Sequence, residues 1–169
     1  MTGVVENKSV SILRADLDNP VHARAIPELI NAYAQSPMGI NSPLPNDVLD
    51  AIVPGLREHP GTVVILAWDD DTPVGIAVCF TGFSTFTAKP LLNIHDIFVT
   101  ETHQGKGIGR QILNAIEDEA RRLGCGKLTL EVRTDNHKAK HLYQSFGFED
   151  GDVDTDSPAY MFWTKPLDN

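Results

Sequence analysis

The chain reads as a mixed α/β (α+β) domain, a central sheet of about six to seven strands with helices on both faces. Three features predict that class. Two apolar runs, residues 62–68 and 74–80, are joined by a polar turn at residues 69–73, the pattern of an antiparallel hairpin. A third apolar run, residues 91–99, leads through a glycine-rich turn into a segment of helical period. A strand pattern and a second helical pattern follow it, so the later helices must find cover on the faces of the sheet.

Each element follows from local chemistry. Residues 9–13 alternate and open the sheet. Asp18-Asn19-Pro20 supplies a capping residue and a helix-compatible proline, and residues 21–35 carry Ile26, Leu29, Ile30 and Tyr33 at helical spacing. Pro37, Gly39 and Pro43 mark residues 36–45 as a loop, after which Asn46 or Asp47 caps a second helix to about Leu56. Gly61 starts the hairpin, and residues 82–90 form a polar and aromatic connection to the third strand. The helix after the glycines sets Ile108, Ile112, Ala115, Ile116, Ala120 and Leu123 on one face, with Gln111, Asn114, Asp118 and Arg121 on the other. Gly124 and Gly126 end it. Over residues 127–132, Leu128, Leu130 and Val132 point inward and Thr129 and Glu131 outward. Residues 136–146 form a short helix, Phe148 begins another strand, and residues 160–165 close the chain. With no internal repeat, low-complexity tract or linker, residues 1–169 are expected to form a single domain with its core over about 9–165.

A chain of 169 residues buries roughly 70% of its unfolded surface, enough for a full core. The net charge of −9 argues against nucleic acid or an anionic membrane as the main partner, and it is compatible with a cationic substrate. Cys79 and Cys125 lie far apart and outside any CxxC pattern, which fits a reducing compartment. Residues 1–18 are polar, without the apolar stretch of a secretory signal, and the longest apolar runs are too short to span a bilayer. A cytoplasmic protein is expected.

The chemistry centres on His103-Gln104-Gly105-Lys106-Gly107-Ile108-Gly109-Arg110. Three alternate glycines leave a run of backbone N–H groups without Cβ obstruction, at the positive end of the helix that follows. Strand, glycine turn and helix together suit a phosphate or pyrophosphate. The GxxxxGK[ST] string of a nucleotide-triphosphate loop is missing. A dinucleotide fingerprint needs GxGxxG, but counting from Gly105 and Gly107 the third glycine position holds Arg110, although Glu131 lies at a suitable distance for the acid.

Gln104-x-x-Gly107-x-Gly109 resembles the Q/R-x-x-G-x-G/A motif of the GNAT superfamily of N-acetyltransferases. Ile94-His95-Asp96-Ile97-Phe98-Val99 is similar to that family's central strand. Asn136-His137-Lys138-Ala139-Lys140-His141-Leu142-Tyr143-Gln144-Ser145-Phe146-Gly147-Phe148 is similar to its N-x-x-A-x-x-L-Y-x-x-x-G-F segment. The resemblance covers roughly residues 9–165. Ser84-Thr85-Phe86 adds a weaker resemblance to the diamine and polyamine branch.

The resemblance implies acetyl-CoA as donor and a small primary amine as acceptor: a small amine, a diamine or an amino-acid-like molecule. Its pyrophosphate would rest on the N–H groups of Gly105, Lys106, Gly107, Ile108, Gly109 and Arg110, with Lys106 and Arg110 adding charge or remaining solvated. The pantetheine arm would pair with the backbone of Ile97, Phe98 and Val99. Asn136 would contact the same cofactor, or cap its helix. Tyr143 would be the general acid toward the sulfur, and the N–H of Val99 or a neighbour would polarise the carbonyl. His95 stands where the polyamine branch carries a glutamate. It titrates near neutrality and suits proton abstraction, unless the acceptor loses its proton to solvent. Asp96 would orient the ring or stay structural, since neighbouring strand residues point to opposite faces. His137 and His141 have the i, i+4 spacing of a zinc pair but lack a glutamate between them, so no metal is expected. The family commonly dimerises through sheet edges, implying a homodimer. The alternative reading is a catalytically degenerate domain that binds acyl-CoA as a sensor or interaction module.

Overall fold

The computed structural model describes residues 10–149. Five strands form one sheet in chain order: β1 (Ser11–Arg14), β2 (Thr62–Asp69), β3 (Thr72–Ser84), β4 (Lys89–Val99) and β5 (Leu128–Leu130). Neighbours are antiparallel except β4 and β5, which run parallel. Four helices complete the described residues: α1 (Pro20–Gln35), α2 (Asn46–Glu58), α3 (Ile108–Arg122) and α4 (His137–Phe146).

The sheet is buried on both faces, as its near-continuous apolar runs require. Along β2, Val63, Ile65 and Ala67 join Ile108, Ile112, Leu113, Ile116 and Tyr143 in one cluster, under α3 and α4. Val64, Leu66 and Trp68 join Ala25, Ile26, Leu29 and Val53 in the other, under α1 and α2. The parallel β4–β5 pair demands a crossover, and α3 provides it.

Most element boundaries follow the pattern, and the departures have local causes. The N-cap of α2 is Pro45, which makes no side-chain cap, and Asn46 is already helical, so neither Asn46 nor Asp47 is the capping residue. β3 and β4 continue to Ser84 and from Lys89, leaving a short turn where a longer connection was expected. Leu113, outside the expected apolar stripe of α3, is fully buried because α4 packs beside α3 and widens its covered face. The described residues contribute five strands to an expected six or seven. Phe148 is not in a strand: its N–H donates to Tyr143 O at 3.0 Å, closing α4 behind Gly147 at φ 100. Ser9 and residues 160–165 lie outside the described residues.

Candidate active site

After Val99 a single 3-10 turn, Glu101–His103, lifts the chain into the glycine turn. Gly105 (φ 76) and Gly107 (φ 80) sit in the left-handed region, which costs a residue with a Cβ about 1–2 kcal/mol. Nothing lies within 4 Å of a Cβ built at either position, so the space above the turn is open. Gly107 is the N-cap of α3 and offers no side-chain cap, leaving the first N–H groups of the helix for an external acceptor. Gly109 serves a different need. Its φ is ordinary, and an added Cβ would stand 3.1 Å from Leu142 Cδ2, so its smallness lets α4 approach α3.

The second component is a strand edge left unpaired among the described residues. β5 pairs with β4 only at Leu92, Asn93 and Ile94, and β4 then runs on to Val99. The two chains diverge around a cavity of about 880 Å³. Ile97, Phe98 and Val99 line one wall, Leu130, Glu131 and Val132 the other, and the glycine turn and α4 its far end. An extended polar chain can take up the main-chain hydrogen bonds that β5 does not.

The third component overturns the simple alternation expected of β4. Val78 pairs with Asp96 and Cys79 with Ile94, so His95 is the extra residue of a β-bulge. Ile94 and Ile97 pack on the α3 side, whereas Phe98 packs under α1. His95 meets Phe80 edge-on at 5.6 Å, and Phe80 belongs to the α1 cluster. Asp96 influences Tyr33 of α1, which itself stacks on Phe98 at 5.5 Å. The bulge therefore turns His95 and Asp96 toward the same face, not opposite ones. His95 is exposed, and Asp96 is partly buried. Burial lifts the Asp96 carboxyl above its usual range, with His95 pulling it back. Burial and then Asp96 push the Cys79 thiol up to about 12, which leaves it a protonated core residue.

Tyr143 reaches the cavity from α4 and is only 7% exposed. Burial, and next Tyr33, raise its phenol to about 12, so it keeps its proton through the neutral range. Tyr33 is raised in turn by burial and Asp96, while Arg133 opposes the shift. Asn136 caps α4, its Oδ1 accepting from Ala139 N at 3.1 Å, and it also lines the cavity. Gln104 Nε2 donates to Val99 O at 2.9 Å, fastening the turn to the end of β4.

The two cations expected near the phosphates separate. Lys106 is exposed and is not among the residues lining the cavity. Arg110 lines it but is held by Ser145 Oγ at 2.6 Å and lies over the Phe146 ring at 5.8 Å. His103 is bound by Thr100 and Thr102 and by Asp69 at 3.2 Å, which joins the turn to the β2–β3 hairpin. Among the described residues no third ligand joins His137 and His141 in a metal site.

Sequence reasoning missed Tyr33, Lys138 and Glu101 as cavity residues. Only the helical spacing of Tyr33 and the place of Lys138 beside Asn136 pointed to them. The features present fit an acyl-CoA: open left-handed glycines at a helix N-terminus for a pyrophosphate, a free strand edge for a polar chain, and a buried phenol and a histidine at one cavity. The fold and this cavity define an α+β protein with an open glycine turn at a helix N-terminus beside a cavity.

A family model described as the acetyltransferase (GNAT) family matches residues 26–148, and the chain belongs to that family. It is similar to the L-amino acid N-acyltransferase MnaT of Escherichia coli (strain K12), 41% identical over 92 residues, covering 54% of this chain and 53% of MnaT. It is also similar to the N-alpha-acetyltransferase RimI of Mycobacterium tuberculosis (strain ATCC 25618 / H37Rv), 42% identical over 77 residues, covering 44% of this chain and 47% of RimI. The matched segments thus span about half of each relative. Among solved structures, the aminoglycoside N-acetyltransferase AAC(6')-Iy in complex with CoA shares the fold with a TM-score of 0.74. It is 17% identical, over 96% of this chain and 98% of that one.

Proposed function

We propose that this protein transfers an acetyl group from acetyl-CoA to a small primary amine by direct attack, without a covalent enzyme intermediate. One observation carries the reading: the glycine turn, the free edge of β4, His95 and Tyr143 all line a single cavity. Acetyl-CoA, when bound, supplies a thioester carbonyl and a thiolate leaving group. The N–H groups from Gly105 to Arg110 hold the pyrophosphate, and the β4 backbone at Ile97, Phe98 and Val99 aligns the pantetheine arm. A backbone N–H near Val99 polarises the carbonyl.

Asp96 accepts, by way of His95 at the cavity wall, a proton from the acceptor ammonium, so that the neutral amine attacks. Burial lifts this carboxyl above its ordinary range, with His95 opposing, which strengthens it as a base. His95, exposed on the same face, relays that proton to solvent. Tyr143 carries a proton on Oη and donates it to the departing sulfur.

For the acceptor, the likeness to MnaT supports an amino-acid-like amine, and Arg133 at the cavity wall beside Tyr33 suits a carboxylate. A diamine is the second reading, favoured by Glu101 at the same cavity and by the Ser84-Thr85-Phe86 resemblance. A homodimer and a cytoplasmic location complete the proposal. Light scattering checks the first, and fractionation of the native host checks the second. The enzymatic claim is tested by CoA release from acetyl-CoA with panels of amino acids and diamines. Release with an amine, abolished by Tyr143→Phe, is expected. Acetyl-CoA binding without release for any amine would favour a sensor or interaction module.

A further inference from the structure

Although the chain carries 23 acidic residues against 14 Lys and Arg, residues 102–116 and 136–148 contain no Asp or Glu. These two segments hold the glycine turn with the start of α3, and α4; they form one end of the cavity. In a protein of net charge −9, two segments that bring no carboxylate of their own face an anion more easily than a cation. Of the basic side chains lining the cavity, His103 bonds to Asp69 and Arg133 pairs with Asp135 at 2.8 Å. Arg110 is fixed by Ser145 and Phe146. Lys138 is different. Its Nζ donates to a neutral amide, Gln104 Oε1, at 2.8 Å, on the residue that immediately precedes Gly105. It is exposed on a flexible stem, and it sits in the first turn of α4, where no acidic residue offsets the helix dipole. A lysine in that place has little intramolecular reward for its charge.

We infer that Lys138 is a phosphate-binding residue of the cofactor site, exchanging Gln104 Oε1 for a phosphate oxygen of the bound nucleotide and so drawing α4 onto the glycine turn. The inference rests on the acyl-CoA reading of the cavity and adds to it the residue that gives the site its mobile positive charge. The phosphate is either the pyrophosphate or the 3′-phosphate, which share the same chemistry.

The test is calorimetric titration of the intact protein and of Lys138→Met, Lys138→Arg and Gln104→Leu with CoA and with 3′-dephospho-CoA. Lys138→Met is expected to weaken CoA binding by about tenfold or more, the value of a charge-assisted hydrogen bond to phosphate, and to flatten its salt dependence. Lys138→Arg should retain most of the affinity. Loss confined to CoA identifies the 3′-phosphate, and equal loss for both ligands identifies the pyrophosphate; each supports the inference. Unchanged CoA affinity in Lys138→Met, with the wild type binding normally, overturns it and leaves the cofactor reading standing. So does a Gln104→Leu variant that reproduces the whole loss with nothing added by the double variant, because Lys138 would then act only by holding Gln104. Failure of the wild type to bind either nucleotide overturns the cofactor reading and this inference together.

Discussion

From Leu92 to Ile94, β4 is paired on both edges, with β3 and with β5, and Leu92 and Ile94 are 0% and 3% exposed in the core beneath α3. From His95 to Val99 the same strand has lost β5, carries a bulge, places His95 in the cavity wall and sets Asp96 where it acts on Tyr33. The two stretches differ in sequence by less than their roles suggest, since both read as apolar strand. What separates them is how far the neighbouring strand runs and where one extra residue is inserted. Full pairing leaves no backbone group for a ligand and buries the side chains as packing. Half pairing leaves main-chain donors and acceptors at a cavity, and the bulge puts His95 in its wall with Asp96 on the same face of the sheet.

That contrast can be tested by breaking each half. Tyr143→Phe and Asp96→Asn act on the open half, and each is expected to cut turnover by about 10²–10⁴-fold while leaving the fold intact, the range for loss of a general acid or base. Circular dichroism together with initial rates checks both effects. Leu92→Ala acts on the paired half and should cost about 2–5 kcal/mol of stability through lost burial and a cavity, read as a fall in the urea midpoint. Residual folded enzyme should keep its acetyl-CoA affinity.

A smaller effect sharpens the comparison through pH. The Asp96 carboxyl is raised above its unfolded value of 3.8, so the native state holds its proton more tightly than the unfolded chain does. The associated stability is fully present below 3.8 and is lost as pH rises through the raised native value. Asp96→Asn is therefore expected to be more stable than the wild type at neutral pH, with the difference vanishing below about pH 4. Melting curves at pH 3.5 and pH 7 measure this, and an Asp96→Asn protein less stable at pH 7 would show that the carboxylate is better solvated than its burial suggests. The smallest change is Asn136→Ala, which removes the α4 cap and should cost about 1 kcal/mol. A simultaneous loss of CoA affinity would give Asn136 a cofactor contact as well.

The local parts of this protein were legible in its residues. Asn19 before Pro20, the apolar hairpin runs, the glycines at 105 and 107, and the 3.6-residue spacing from Ile108 to Ala120 all depend on backbone freedom and side-chain periodicity. Both properties reside within a few neighbouring residues. The family resemblance followed from the glycine turn and the Asn136–Tyr143 spacing, and the family match bears it out.

Other parts depended on distant segments. A bulge at His95 depends on the register of β3 against β4, and no pattern within β4 announces it. The three-residue length of β5 decides how much of β4 lies open. Tyr33 and Tyr143 come together only because α1 and α4 cover opposite faces of one sheet at the place where its strands part. The sequence by itself determined most of the secondary structure, the glycine turn and the family, because these rest on local conformation and recurring spacing. Only the tertiary structure decided which groups share the cavity and which are lifted from their ordinary pKa, because burial and distance are properties of packed segments.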